Sequence, residues 1–244
     1  TPENWENRPL VLKELYERQR LDNWNQKEWQ ELRATYLGMC ARIDHQFGQI
    51  IDALKNENLY DDTAVFMFSD HGDYTGDFGM VEKNHNTFYD SLTNVPFIIK
   101  PPQNIDIEPG VSDALVELVD FPATVEDLTG IELDYRQFGQ SLLPVITGEE
   151  EIHKEAVFCE GGYNEGELKN IKNLGEPNPD GLYGPHLTLI NGEGEKSKQA
   201  RTRAVMIRTR NFKYIRRYYE KDELYNLEED PREEKNVIDD YENS

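Results

Sequence analysis

At 244 residues the chain is long enough for one good core, or one core with a small appended subdomain. A formal net charge of −22 argues against an extended surface of clustered Lys and Arg, and so against a nucleic-acid partner. No apolar run approaches the roughly 20 residues of a membrane helix, so no membrane partner is expected either. Because that charge repels polyanions at long range, an anion site has to be built locally, from a metal ion and a few cations. Cys40 and Cys159 form no metal-ligand pair and are expected as two buried free thiols.

Residues 1–24 carry Trp5, Leu10, Leu12, Leu15 and Tyr16 among many charges, a surface helix or connector. Asn25 and Glu28 then have the spacing of a capping box. Behind them Tyr36, Cys40, Ile43, Phe47, Ile50, Ile51 and Leu54 recur at three- and four-residue steps, the stripe of one long helix of about eight turns. Residues 63–68 form an apolar run too short for a helix, a strand buried on both faces as in a parallel sheet. Ser69-Asp70-His71-Gly72 follows at its C-terminal end, where open α/β sheets place their ligands. Residues 95–99 predict a second strand and residues 116–119 a third. Asp120 is expected to cap a helix with Pro122 in its first turn and Gly130 after its end.

After Gly148 the character changes. Residues 156–159 read as a short strand. Residues 160–200 are rich in Gly, Asn, Pro and Glu, an irregular segment of a length that is usually functional or mobile. Residues 204–208 and 212–216 alternate like antiparallel strands around a turn near Arg210 and Asn211, and residues 223–227 add a last extended piece. The expected organisation is a first part over 1–150 and a C-terminal subdomain over 151–244.

Asp70 offers a hard oxygen and His71 a nitrogen, a pair able to hold a divalent cation. Taken alone, the tripeptide also reads as a turn cap with a packed histidine. Its surroundings carry more. Ser69 to Gly72, Gly76-Asp77-Phe78-Gly79, Lys83, Phe88-Tyr89-Asp90 and residues 95–99 together resemble the late metal-site segment of the sulfatase family, within the alkaline-phosphatase-like superfamily. The resemblance extends to the helix over 36–54, to 119–124, 130–131 and 139–144, and to 208–215 and 223–231, so it covers roughly residues 30–150 and 200–240. It implies an α/β fold: the C-terminal part of an alkaline-phosphatase-like sheet with flanking helices, followed by a small antiparallel β subdomain.

Carried over residue by residue, the resemblance implies that Asp70 is a carboxylate ligand of the active-site cation and His71 the adjacent ligand. It places Lys83 on the sulfate, where an ammonium stabilises charge building on the sulfuryl oxygens. By residue type alone Lys83 is an ordinary solvated lysine. His85 is a candidate general acid, a residue supporting a ligand, or a plain loop residue. Tyr163 and His186 bracket the irregular segment and are candidate contacts for a sugar or aryl group; a surface insertion is the alternative. Arg201, Arg203, Arg208 and Arg210 form a local positive cluster, which strand-edge charge also explains. His45 and His153 read as solvated surface residues.

The family's nucleophile is a formylglycine made from Cys, sometimes Ser, in a Cys-x-Pro-Ser-Arg motif. Cys40 precedes Ala41-Arg42 and Cys159 precedes Glu160-Gly161, so neither fits. The resemblance therefore implies that the nucleophile and the early Asp ligands belong to an N-terminal part of the same protein, a partner this chain needs. A shortened chain, a cleavage product and a split protein remain open. The expected activity of the intact protein is hydrolysis of sulfate esters on a small molecule or glycan, with Ca²⁺ as cation and Mn²⁺ as the alternative. The rivals are a phosphonate monoester or phosphodiester hydrolase of the same superfamily, and a non-catalytic interaction module. The chain alone is expected to be inactive.

Overall fold

The computed structural model describes residues 5, 7–19, 21–164 and 202–242. Helix α1 (Leu10–Gln19) is followed by a 3-10 turn and the long helix α2 (Gln26–Asn56). Strand β1 (Val65–Phe68), the short helix α3 (Asp90–Thr93) and strand β2 (Phe97–Lys100) come next. Helices α4 (Asp120–Thr129) and α5 (Leu143–Ile146) precede the strands β3 (Val157–Gly161), β4 (Ala204–Arg208), β5 (Phe212–Arg217) and β6 (Glu223–Asn226), and α6 (Ile238–Glu242) closes the described chain. The fold is α/β, with β1–β2 as a two-stranded sheet and β3-β4-β5-β6 as a four-stranded one.

Helix α2 begins as the sequence indicates. The Asn25 side chain accepts from the N–H of Lys27 and Glu28, while Glu28 reaches back to the Asn25 N–H at 2.7 Å. Its apolar stripe, however, is only partly covered among the described residues: Tyr36, Phe47, Ile51 and Leu54 are half-buried, no residue of α2 is fully buried, and Leu37, Ile43 and Ile50 are each more than half exposed. Cys40 is exposed with them, not the buried thiol expected; Cys159 is partly buried, and both are free.

Strand β1 corrects the expectation of a parallel neighbour. It runs antiparallel to β2, with Phe66 opposite Ile99 and Phe68 opposite Phe97. One face is covered by α4, where Phe121 packs on Phe66 and Phe68 with ring centroids 4.9 and 5.1 Å apart. The strand is only partly buried and Ile98 across from it is exposed. An unbroken apolar run marks a strand but carries no information on which strand lies alongside or how much of it is covered.

The four-stranded sheet follows the expected alternation. In β5 and β6, Lys213, Ile215, Arg217, Glu223 and Tyr225 are buried and their neighbours face outward. The core that this face covers joins distant segments: Val11, Leu12 and Leu15 of α1, Tyr74, Met80, Phe88, Tyr89 and Leu92, and Met206, Ile215 and Tyr225 of the sheet. Helix α1 is therefore a core element and not a surface connector. Its start is held by Arg8, whose guanidinium donates to the carbonyls of Glu233 and Glu234 at 2.7 and 2.6 Å and lies 4.8 Å from the Phe78 ring.

Three more expectations change. Residues 116–119 form a turn into α4 and no strand. Asp120 is the first residue of α4 and not its cap. Its buried carboxylate accepts from the N–H of Glu117 and Gln140, both at 2.9 Å, and from Lys154 at 2.6 Å. His153, expected as solvated, lies 3.2 Å from that carboxylate with its side chain buried. Four partners converge on one acid because α4, residues 139–140 and residues 153–154 meet there, a tertiary arrangement that local composition does not encode.

Candidate active site

The chain leaves β1 at Phe68 and turns immediately. Ser69 N–H donates to the carbonyl of Pro96 at 3.3 Å, its hydroxyl donates to the carbonyl of His71 at 2.7 Å, and Gly72 N–H donates to Leu92 at 2.8 Å. Gly72 packs on the backbone of α3 so closely that a Cβ there would stand 2.0 Å from the Ser91 oxygen. The turn is thereby clamped between β2 and α3, and it presents Asp70 and His71 at the surface. Their closest side-chain approach, from His71 Nε2 to Asp70 Oδ2, is 3.7 Å. His71 Nδ1 lies 3.0 Å from the Gly72 carbonyl. A carbonyl only accepts, so Nδ1 is the donor there, and Nε2, the atom nearer Asp70, is the nitrogen left to face a cation.

A carboxylate oxygen and an imidazole lone pair side by side suit a divalent cation. They are two donors, and among the described residues no group of three or more His, Cys, Asp or Glu side chains converges on one point. The residues present therefore fit part of a metal site.

Beside this turn lies a cavity of about 750 Å³, lined by Asp70, His71, Glu82, Lys83, Asn84, His85, Cys159 and Arg208 among others. The sequence-identified Asp70, His71, Lys83 and His85 thus meet in one concavity. Lys83 is held at its backbone, where its N–H donates to Asp73 Oδ1 at 3.1 Å. The His85 ring packs 5.4 Å from the Tyr163 ring, and Tyr163 is tied to the sheet by a bridge to Thr202. His186 and Arg201 lie outside the described residues. Arg208 reaches Asp90 at 3.2 Å and Arg203 reaches Glu160 at 3.3 Å, so the arginine cluster is spread over different partners.

Burial shapes the acids and thiols around the cavity. It raises the Glu82 carboxyl above its usual value, with Lys83 opposing and Asp73 adding to the shift. It also pushes the Cys159 thiol up, against the pull of Lys213, which disfavours a thiolate nucleophile at that position.

Behind the cavity wall the loop over residues 83–89 is fixed from the four-stranded sheet. Arg217 Nη1 donates to the Asn86 carbonyl at 2.9 Å and its Nε to Glu223 at 2.6 Å. Glu223 also accepts from Tyr89 and Tyr225, at 2.9 and 2.6 Å. Burial first, and then the Glu223 charge, hold both phenols well above their ordinary range. Lys213, wholly buried, donates to the Phe88 carbonyl at 2.7 Å and pairs with Asp90 and Glu233 at 2.6 and 2.5 Å. Sequence reasoning did not single out Asn84, Lys213, Arg217 or Glu223. Asn84-x-Asn86-Thr87 has the signature of an Asx turn, but nothing in the sequence announces that two strand cations point inward.

A family model described as Sulfatase matches residues 7–131. The Delta 4,5-hexuronate-2-O-sulfatase of Bacteroides thetaiotaomicron is 26% identical over 219 residues, which are 89% of this chain and 39% of that protein. A solved 2-O GAG sulfatase superposes with a TM-score of 0.74 at 24% identity, over 99% of this chain and 46% of the other. The phosphonate monoester hydrolase of Agrobacterium radiobacter gives 0.68 at 27% identity, over 90% and 40%. The chain spans less than half the length of each of these proteins.

Proposed function

Because this chain belongs to the sulfatase family, we propose that it supplies one wall of the active site of a sulfate-ester hydrolase acting on a sulfated glycan or small molecule. The observation that carries this reading is the meeting of Asp70, His71, Lys83 and His85 on one cavity, within the span that matches the family. The glycan is favoured because a relative aligned over 89% of this chain is a hexuronate sulfatase by name.

Asp70 through a carboxylate oxygen and His71 through Nε2 are the residues that would hold the cation, Ca²⁺ or alternatively Mn²⁺. When bound, such a cation polarises a sulfuryl oxygen as a Lewis acid. The Lys83 ammonium contributes fixed positive charge where the sulfuryl oxygens gain negative charge, and in a recessed site that charge is little screened. His85, packed against Tyr163, delivers a proton to the departing ester oxygen. No residue of this chain is assigned as nucleophile, and the formylglycine that the family uses is expected from the N-terminal part of the protein. Further ligands for the cation are expected from the same part, since Ca²⁺ takes 6–8 oxygens.

The test compares the full-length protein on an aryl sulfate, a sulfated uronate disaccharide and a phosphonate monoester, each with and without chelator. Chelator-sensitive turnover led by the sulfates is expected. Preferred cleavage of the phosphonate would install the second reading, which the fold likeness to the Agrobacterium enzyme at 27% identity supports. No turnover of any ester, with no metal uptake, would leave an interaction module.

A further inference from the structure

We infer that Glu82 sets substrate specificity: its carboxylate accepts a hydrogen bond from a hydroxyl or ammonium on the alcohol part of the ester, while Lys83 engages the sulfate. Resting on the sulfate-ester reading, this adds that the alcohol carries a donor close to its sulfated oxygen.

Most charged groups that line the cavity are already committed. Glu117 accepts from Lys154 at 2.6 Å and from the N–H of Phe158 at 2.8 Å. Glu160 pairs with Arg203 at 3.3 Å and Arg208 with Asp90 at 3.2 Å, and Asp70 lies beside His71. Glu82 and Lys83 differ. Neither side chain has a hydrogen bond or an ion pair among the described residues, and the two do not pair with each other. Both are half-buried, so they remain within reach of a ligand.

Burial acts first on the Glu82 carboxyl and raises its pKa, the Lys83 charge opposes, and Asp73 adds to the rise. The carboxyl itself is therefore recessed among protein atoms and close to the Lys83 charge, not extended into bulk water. A recessed carboxylate without a donor is poorly compensated for the hydration it has lost. When ionised it only accepts, so its complement is a donor. Glu82 and Lys83 are adjacent in the chain, with Cα atoms about 3.8 Å apart. A single molecule that serves both must therefore carry its donor near its sulfate. Elsewhere the wall includes Val95, Phe97, Val116 and Val157, and in such a cavity a few placed polar groups fix the orientation of what binds.

The experiment uses the full-length protein and three matched esters: ethyl sulfate, 2-hydroxyethyl sulfate and 2-aminoethyl sulfate. Dissociation constants are read by calorimetry. The wild type is expected to bind a donor-bearing ester about tenfold more tightly than ethyl sulfate, the scale of a hydrogen bond to a charged group. A preference for one of the two donor-bearing esters identifies the donor as hydroxyl or ammonium. Glu82→Met removes the acceptor at similar size and is expected to abolish the preference. Equal affinity of the wild type for all three esters, binding of none, or a preference that survives Glu82→Met overturns the inference. The comparison within the wild type holds however the variant folds. Aryl sulfate turnover by the wild type is measured alongside. Its absence defeats the sulfate-ester reading, while the three dissociation constants still decide the role of Glu82.

Discussion

Gly161 of β3 lies against the carbonyl of His85, so near that a Cβ on the glycine would stand 1.7 Å from that oxygen. The C-terminal sheet thus touches the cavity loop backbone to backbone, and only a residue without a side chain permits it. Asn86 Nδ2, donating to the Thr202 carbonyl at 3.3 Å, adds a second tie between the same two segments. The loop that carries Lys83 and His85 takes its position from strands more than seventy residues later.

Gly161→Ala should therefore act on activity more than on folding. The added methyl forces the His85 carbonyl away, at a cost of about 1–3 kcal/mol. Thermal unfolding and aryl sulfate kinetics of the full-length variant check it: a modest loss of stability with a clear fall in kcat is expected. Unchanged kcat would mean that the loop position does not matter for turnover.

Arg217→Met removes the donor to Asn86 and leaves Glu223 buried among two tyrosines. Breaking a buried pair on one side typically costs about 3–5 kcal/mol, and denaturant unfolding measures it. The double variant Arg217→Met, Glu223→Gln should recover part of that loss, because the uncompensated charge is gone. Equal destabilisation in the single and double variants would assign the cost to lost packing instead.

Lys83→Ala in the full-length protein should lower kcat by about 10²–10³, the usual effect of deleting one oxyanion-stabilising donor. Lys83 is anchored through its backbone N–H, which the substitution keeps, so the melting temperature should stay unchanged. Near-normal kcat would return Lys83 to the status of a surface lysine.

Asp120 makes stability depend on acid. Burial raises its pKa, but the hydrogen bond from Lys154 and those from the N–H of Gln140 and Glu117 outweigh burial and leave it below 3.8. A carboxyl depressed in the folded state contributes stability that is complete above its unfolded value and is lost as pH falls through the folded one. Melting temperatures should thus drop below about pH 4 in the wild type. Lys154→Met, which removes the largest favourable partner, should flatten that drop while lowering stability at pH 7. Parallel profiles would exclude Asp120 as the responsible acid.

Residues 1–244 purified alone should neither turn over an aryl sulfate with added Ca²⁺ or Mn²⁺ nor stay monomeric. Asp70 and His71 provide too few ligands, and the exposed stripe of Leu37, Ile43 and Ile50 on α2 favours association. Activity assays and sedimentation at several concentrations check both halves. Metal-dependent turnover would require a nucleophile within residues 1–244.

The sequence by itself determined the local elements whose cause is local. The Asn25–Glu28 box opens α2, the alternation over 204–217 makes a hairpin, and the turn after Phe68 follows from an apolar run breaking at Ser69-Asp70-His71-Gly72. It also determined the family, because several ordered motifs at matching spacing leave few other readings. Tertiary structure decided the rest. Only it brings α1 into the core, turns Lys213 and Arg217 inward to meet Asp90, Glu233 and Glu223, and covers one face of β1 with Phe121. Only it shows that Asn84 spends its oxygen on Asn86 and Thr87. The physical reason is common to all of these. Periodicity records which residues avoid water, whereas the choice of partner for a buried charge or amide depends on segments a hundred residues away and leaves no trace in local pattern.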